Sequence, residues 1–138
     1  MKIEDGKAYT FSNLASTVSM VKKAQKLKND YTLDGKKVFT LAKEGDSICE
    51  KCVDEFFHNL AWGIFNLQYS YDPDIILVSG AVSAQENFIQ KIKEKLFHIQ
   101  NMVEGANLNF NIDLCHFKTH ANLIGSYVNF LLQEKLEY

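Results

Sequence analysis

Three groups of residues in this 138-residue chain have types and spacings that chemistry could use. The first runs from Ile75 to Glu86. An apolar run, Ile75-Ile76-Leu77-Val78, gives way to the small residues Ser79-Gly80-Ala81, and Ser83 and Glu86 follow at capping-box spacing. A strand that ends in a small-residue turn and feeds a helix N-terminus offers free N–H groups and a partial positive charge. In open α/β sheets, ligands gather at that edge. Gly80 and Ala81 lack bulk, so a flat or anionic group could approach the backbone there, and Ser79 and Ser83 could donate to it. Ser83 is also the residue expected to cap the helix.

The second group is Cys49-x-x-Cys52, with Cys115, His116 and His120 later in the chain. A structural zinc site needs four ligands converging at about 2.0–2.3 Å. The Cys pair instead falls near the start of a long helix with Cys52 on its buried stripe, so no metal site is expected. The third group is a scatter of carboxylates, Asp5, Asp34, Asp54, Asp72, Asp74 and Asp113, of which Asp34, Asp72 and Asp74 sit in turn contexts. None is expected to act as a catalytic base. Ser-His-Asp order, GxSxG and GxxxxGK[ST] are all lacking, which removes the minimum equipment of serine hydrolases and P-loop enzymes. His58 and His98 are expected at helix surfaces or boundaries.

The elements that must position these residues can be read from periodicity. Met1 to Asn13 is weakly patterned, a short strand or a loop. Ser16 caps a helix striped by Val18, Val21, Ala24 and Leu27, flanked by Lys22, Lys23, Lys26 and Lys28 as a solvated face. Leu33-Asp34-Gly35 turns into a short helix with Val38, Leu41 and Ala42 that ends at Gly45. Ser47 and Glu50 then open a helix to about Tyr69. Its apolar residues, among them Cys52, Val53, Phe56, Phe57, Leu60, Ala61, Ile64, Phe65 and Leu67, span too wide an arc for a surface position. Gly63 inside it marks a close backbone approach. Asp72-Pro73-Asp74 breaks that helix, and Ile75–Val78 reads as a parallel strand covered on both faces. A helix opened by Ser83 carries Phe88, Ile89, Ile92, Leu96 and Ile99. Phe110 to Phe117 alternates as another strand, and a last helix from about His120 carries Leu123, Ile124, Tyr127, Leu131 and Leu132, with Gly125 expected at a second close contact. The order is α/β with a short sheet flanked by helices, in one domain.

Composition bounds the partners. Hydrophobic residues make up 46% and charged residues 23%, with 15 Lys+Arg against 17 Asp+Glu, so neither a disordered tail nor a general nucleic-acid electrostatic footprint is expected. The longest apolar run falls far short of the roughly 20 residues of a spanning helix, so no membrane partner is expected. The opening MKIEDG lacks an apolar secretory core, and an odd number of cysteines without disulfide spacing suits reduced thiols. A cytoplasmic chain is expected.

The segments in combination resemble the C-terminal half of the ROK family, the sugar kinases and sugar-responsive repressors built on the actin-like ATPase (ribonuclease H-like) fold. Ala15-Ser16-Thr17-Val18 is similar to the family's Ala-Ser-Gly helix start. Leu60-Ala61-x-Gly63-Ile64-x-Asn66-Leu67, followed by Asp72-Pro73-Asp74 and Ile75 through Ser83, resembles its helix, DPxxI turn and GGGxS strand end. Asn122-Leu123-Ile124-Gly125-Ser126 resembles its closing segment. The resemblance implies phosphoryl transfer from ATP, with Mg²⁺, to a sugar hydroxyl in a cleft between two lobes. It places the adenosine beside Ser79, Gly80 and Ala81, with Ser79 and Ala81 standing where the family has its first and third glycines.

The family's DxGGT and GTGxG loops and its catalytic Asp lie upstream of the matched segments. The resemblance therefore implies a nucleotide-side lobe, inactive by itself, whose partners are nucleotide, sugar, an N-terminal lobe and a second copy in a homo-oligomer. The family's zinc knuckle has no counterpart here, and Ser12 stands where its sugar-binding Glu would be. The alternative within the family is the sensing and dimerisation lobe of a repressor.

Overall fold

The computed structural model describes residues 2–4 and 6–134. Two strands open the chain, β1 (Lys2–Glu4) and β2 (Lys7–Tyr9), paired antiparallel with Ile3 opposite Ala8. One turn of helix, α1 (Phe11–Leu14), follows. It is closed by a capping box in which Thr10 and Asn13 each bond the other's backbone N–H. The opening segment, weakly patterned as a sequence, is thus a hairpin and a helical turn. Asp5 lies outside the described residues.

Three helices then build one side of the core. Ser16 caps α2 (Thr17–Lys28) by accepting from the Ser19 N–H, as expected. The buried positions of α2 are Met20 and Ala24, whereas Val18 and Leu27 are exposed, so the stripe is rotated from the one expected. Both α2 and the next helix pack on a common partner, and that partner selects the face. Asp34 caps α3 (Gly35–Lys43) with a 2.8 Å bond from the Lys37 N–H, a more definite part than the turn residue expected of it. The expected box of Ser47 and Glu50 is not what opens α4 (Ser47–Tyr71). Asp46, one residue earlier, accepts from the Cys49 N–H at 2.9 Å, and its extended backbone makes it the cap. At the other end Asp72 adopts a left-handed conformation, φ 44°, and Pro73 follows to stop the helix.

Helix α4 is the spine. It packs against α2, α3 and α5 (Phe88–Met102), burying Cys49, Cys52, Val53, Phe56, Phe57, Ala61, Ile64 and Phe65. Phe56 and Phe57 lie 5.3 Å apart edge-on, and Phe57 lies 5.4 Å from Phe88, so aromatic rings fill the junction of α3, α4 and α5. Leu67, expected inside, is exposed, and Gln68 takes the buried place. The Gln68 amide nitrogen donates to Asp72 at 2.8 Å, tying the helix end to the turn beyond it. Phe88, Ile92, Leu96 and Ile99 of α5 are all buried, as their spacing predicts.

The sheet beside these helices is small. Strands β3 (Ile76–Val78) and β4 (Ile112–Leu114) pair in parallel, with Leu77 opposite Asp113. The strand expected over Phe110 to Phe117 is therefore three residues long. Ile76, Val78 and Ile112 turn one face of the sheet to the core. Leu77 is 55% exposed on the other face, so the expectation that β3 is covered on both sides fails among the described residues. The last helix, α6 (Ala121–Glu134), leaves Leu123, Tyr127, Val128, Phe130, Leu131 and Leu132 exposed.

The two glycines expected at close contacts differ. A β-carbon on Gly63 would overlap the Phe11 ring, reaching 2.9 Å from Cδ2 and closer still to Cε2 and Cζ. Around Gly125 nothing lies within 4 Å, so the second close contact is not made among the described residues.

Candidate functional site

The carboxyl ends of β3 and β4 define one edge of the molecule. The Cys115 N–H donates to the Val78 carbonyl at 2.9 Å, which extends the pairing one step beyond the strands and fixes the two outgoing segments side by side. On the β3 side, Ser79 and Ala81 are exposed and Gly80 is half-buried. Gly80 has φ 104° and ψ 171°, a region open in practice only to glycine, so its identity is dictated by the sharp exit from the strand.

The chain does not enter a capped α-helix at Ser83. Residues Ala81–Ala84 form a 3-10 turn, and α5 starts only after Asn87, whose left-handed backbone leaves the helix without a side-chain cap. The expected Ser83–Glu86 capping box is absent for that reason. Ser83 is 2% exposed, and its hydroxyl donates to the Gly80 carbonyl at 2.7 Å while its N–H reaches the same oxygen at 3.1 Å. Ser83 thus holds the turn from inside. Glu86 pairs instead with Lys43 at 3.2 Å.

On the β4 side, a second 3-10 turn, Lys118–His120, packs against the first. The His120 N–H donates to the Phe117 carbonyl at 2.8 Å and closes it. His116, Phe117, Thr119 and His120 are exposed here. Periodicity had no means of bringing this segment to Ser79, because the sheet pairs Ile76 with Ile112, residues remote along the chain.

The cysteines divide by burial. Cys49 and Cys52 are buried and Cys115 is half-buried. Burial, reinforced by the Asp46 carboxylate, pushes the Cys49 thiol up to about 11, and burial raises Cys52 as well, so neither is a ready thiolate near neutral pH. The Asp46 carboxyl is held down at about 2, chiefly by Lys28 and then by the Cys49 N–H. Of the basic residues on α2, Lys23 pairs with Glu55 and Lys28 with Asp46, which anchors α2 to α4.

Two clefts lie away from this edge. One of about 700 Å³ runs between α3, α4 and α5 and is lined by both signs of charge, including Lys43, Lys51, Asp54, Glu86 and Lys95. The other, of about 750 Å³, lies along α4 and α1 and is lined by Phe11, His58, Asn59, Trp62 and Leu67 among others.

A short parallel sheet under a helical layer, with a glycine-dependent turn at its carboxyl edge, defines an α/β lobe. The chain belongs to the ROK family, whose profile matches residues 6–133. A β-glucoside kinase of Listeria innocua is 26% identical over 104 residues, covering 74% of this chain and 33% of that protein. An uncharacterized protein of Clostridium perfringens is 28% identical over 120 residues, covering 86% of this chain and 40% of that protein. Among solved structures, a ROK family protein from Streptococcus pneumoniae, in complex with sucrose, superposes with a TM-score of 0.84 at 32% identity, covering 92% of this chain and 44% of that one. A ROK family glucokinase from Streptomyces griseus, in complex with glucose and AMPPNP, shares the fold with a TM-score of 0.70 at 18% identity, covering 87% of this chain and 44% of that one. The chain thus spans less than half the length of these relatives. The α/β class with a short parallel sheet flanked by helices is as expected, and its neighbours have the actin-like ATPase fold.

Proposed function

We propose that this chain is the C-terminal, nucleotide-side lobe of a ROK sugar kinase, with the adenosine of ATP beside Ser79, Gly80 and Ala81. The observation that carries the reading is the backbone at Gly80: the β3 exit is bent where only glycine fits, and the turn is held by Ser83 from the protein side, leaving Ser79 and Ala81 free toward solvent. The relatives, a β-glucoside kinase and a glucokinase in complex with glucose and AMPPNP, support a sugar acceptor with ATP as phosphoryl donor, and the family resemblance implies Mg²⁺ beside it.

Phosphoryl transfer relies on positioned donors, metal and base more than on covalent chemistry by the protein. The lobe supplies a nucleoside platform, and a complementary lobe supplies the base and the phosphate loops. The exposed face of α6 and the open face at Leu77 suit the docking of that complementary lobe, since a helix apolar over so wide an arc is normally buried. By itself the lobe is expected to bind nucleotide weakly and to leave glucose unphosphorylated.

Titration with Mg·ADP, followed by amide NMR and by alkylation of Cys115, tests the reading. Expected are millimolar binding, shifts centred on Ser79–Ala84 and slower alkylation of Cys115. Shifts confined to other parts of the molecule, or none at millimolar nucleotide, refute it.

A further inference from the structure

We infer that Phe117 is the stacking platform for the nucleobase, the second prong of a two-pronged nucleoside seat whose first prong is Ser79–Gly80–Ala81. The inference rests on the nucleotide reading above and adds to it a specificity-determining residue.

Phe117 is 48% exposed, although it follows closely on a strand whose first residue, Ile112, is buried. Its backbone is not free: its carbonyl closes the Lys118–His120 turn at 2.8 Å, and that turn packs on Ala81–Ala84. Its ring stands nearly perpendicular to the His116 imidazole, at 85° with the centroids 5.0 Å apart. An aromatic ring therefore stands exposed beyond the carboxyl end of β4, at the start of a turn that packs on the turn leaving β3.

The chemistry of the two prongs differs in a useful way. Ser79, Gly80 and Ala81 offer a small, neutral surface for a sugar ring or the rim of a base. Phe117 offers a π-face, and base–aromatic stacking tolerates any base while contributing about tenfold or more in affinity by alanine substitution. A neutral, flat partner suits this pair better than a phosphate does, which favours the base over the phosphates at this position.

The test uses the whole chain with Mg·ADP and with inorganic pyrophosphate as probes, in the wild type and in Phe117→Ala, Phe117→Trp and Ala81→Glu. These positions are exposed, so amide spectra away from the edge check that each variant folds. Expected are about tenfold weaker ADP binding in Phe117→Ala, retained binding with quenched indole fluorescence in Phe117→Trp, and pyrophosphate binding that does not distinguish wild type from Phe117→Ala. ADP binding that is lost in Ala81→Glu yet unchanged in Phe117→Ala overturns the platform and leaves the nucleotide at the turn. No ADP binding to any form overturns both readings.

Discussion

Replacing Gly63 by alanine sets two effects of similar size against each other, and the structure says which residue couples them. Gly63 lies inside the 25-residue α4, where Gly→Ala contributes about 1 kcal/mol of helix stability. A β-carbon there overlaps the Phe11 ring, which must swing away. Full burial of a Phe side chain is worth about 1.5–3 kcal/mol, and Phe11 is 48% exposed, so displacing its ring costs about 1 kcal/mol. Gly63→Ala is therefore expected to change global stability by less than about 0.5 kcal/mol in the wild type, and to stabilise the Phe11→Ala variant by about 1 kcal/mol. Urea unfolding of the four proteins of this cycle measures the coupling. Hydrogen exchange supplies a second reading, because α1 should loosen in Gly63→Ala and the Ala15 N–H, bonded to the Phe11 carbonyl at 2.8 Å, should lose protection. Equal effects of Gly63→Ala in both backgrounds would refute the reasoning. The local consequence matters because α1 carries Ser12, the position that the family resemblance aligns with a sugar-binding carboxylate.

Two further outcomes follow from the core and its charges. Asp46 has a folded value of about 2, below the ordinary 3.8, so its contribution to stability is present above about pH 4 and is lost as pH falls toward 2; Asp46→Asn should flatten that acid limb in pH-dependent urea unfolding, and an unchanged limb would contradict the assignment. Ile92 is fully buried on α5, so Ile92→Ala should cost about 2–5 kcal/mol by the same measurement, and a loss under about 1 kcal/mol would mean that the α4–α5 seam is not the core.

Much of the helical layer was legible in the sequence because its signals are local. Ser16 as a cap, the stop at Asp72-Pro73 and the α5 stripe of Phe88, Ile92, Leu96 and Ile99 each follow from contacts within a few residues along one helix. The small-residue turn after β3 was legible as a turn, but Gly80 was expected there for its lack of bulk, whereas the structure requires glycine for its positive φ of 104°. Local rules failed where two candidates competed within a residue or two. Asp46 displaced Ser47 as the cap of α4, and the 3-10 turn at Ala81–Ala84 displaced a helix start at Ser83.

Tertiary structure alone decided which faces are buried and which distant segments meet. The choice of Met20 and Ala24 over Val18 and Leu27 depends on where α4 lies, and no periodicity within α2 contains that information. The meeting of the Lys118–His120 turn with Ala81–Ala84 depends on the parallel register of β3 and β4. Spacing along the chain fixes a helix because its partners are three and four residues away; it cannot fix a site assembled across a sheet, where the partners are chosen by packing.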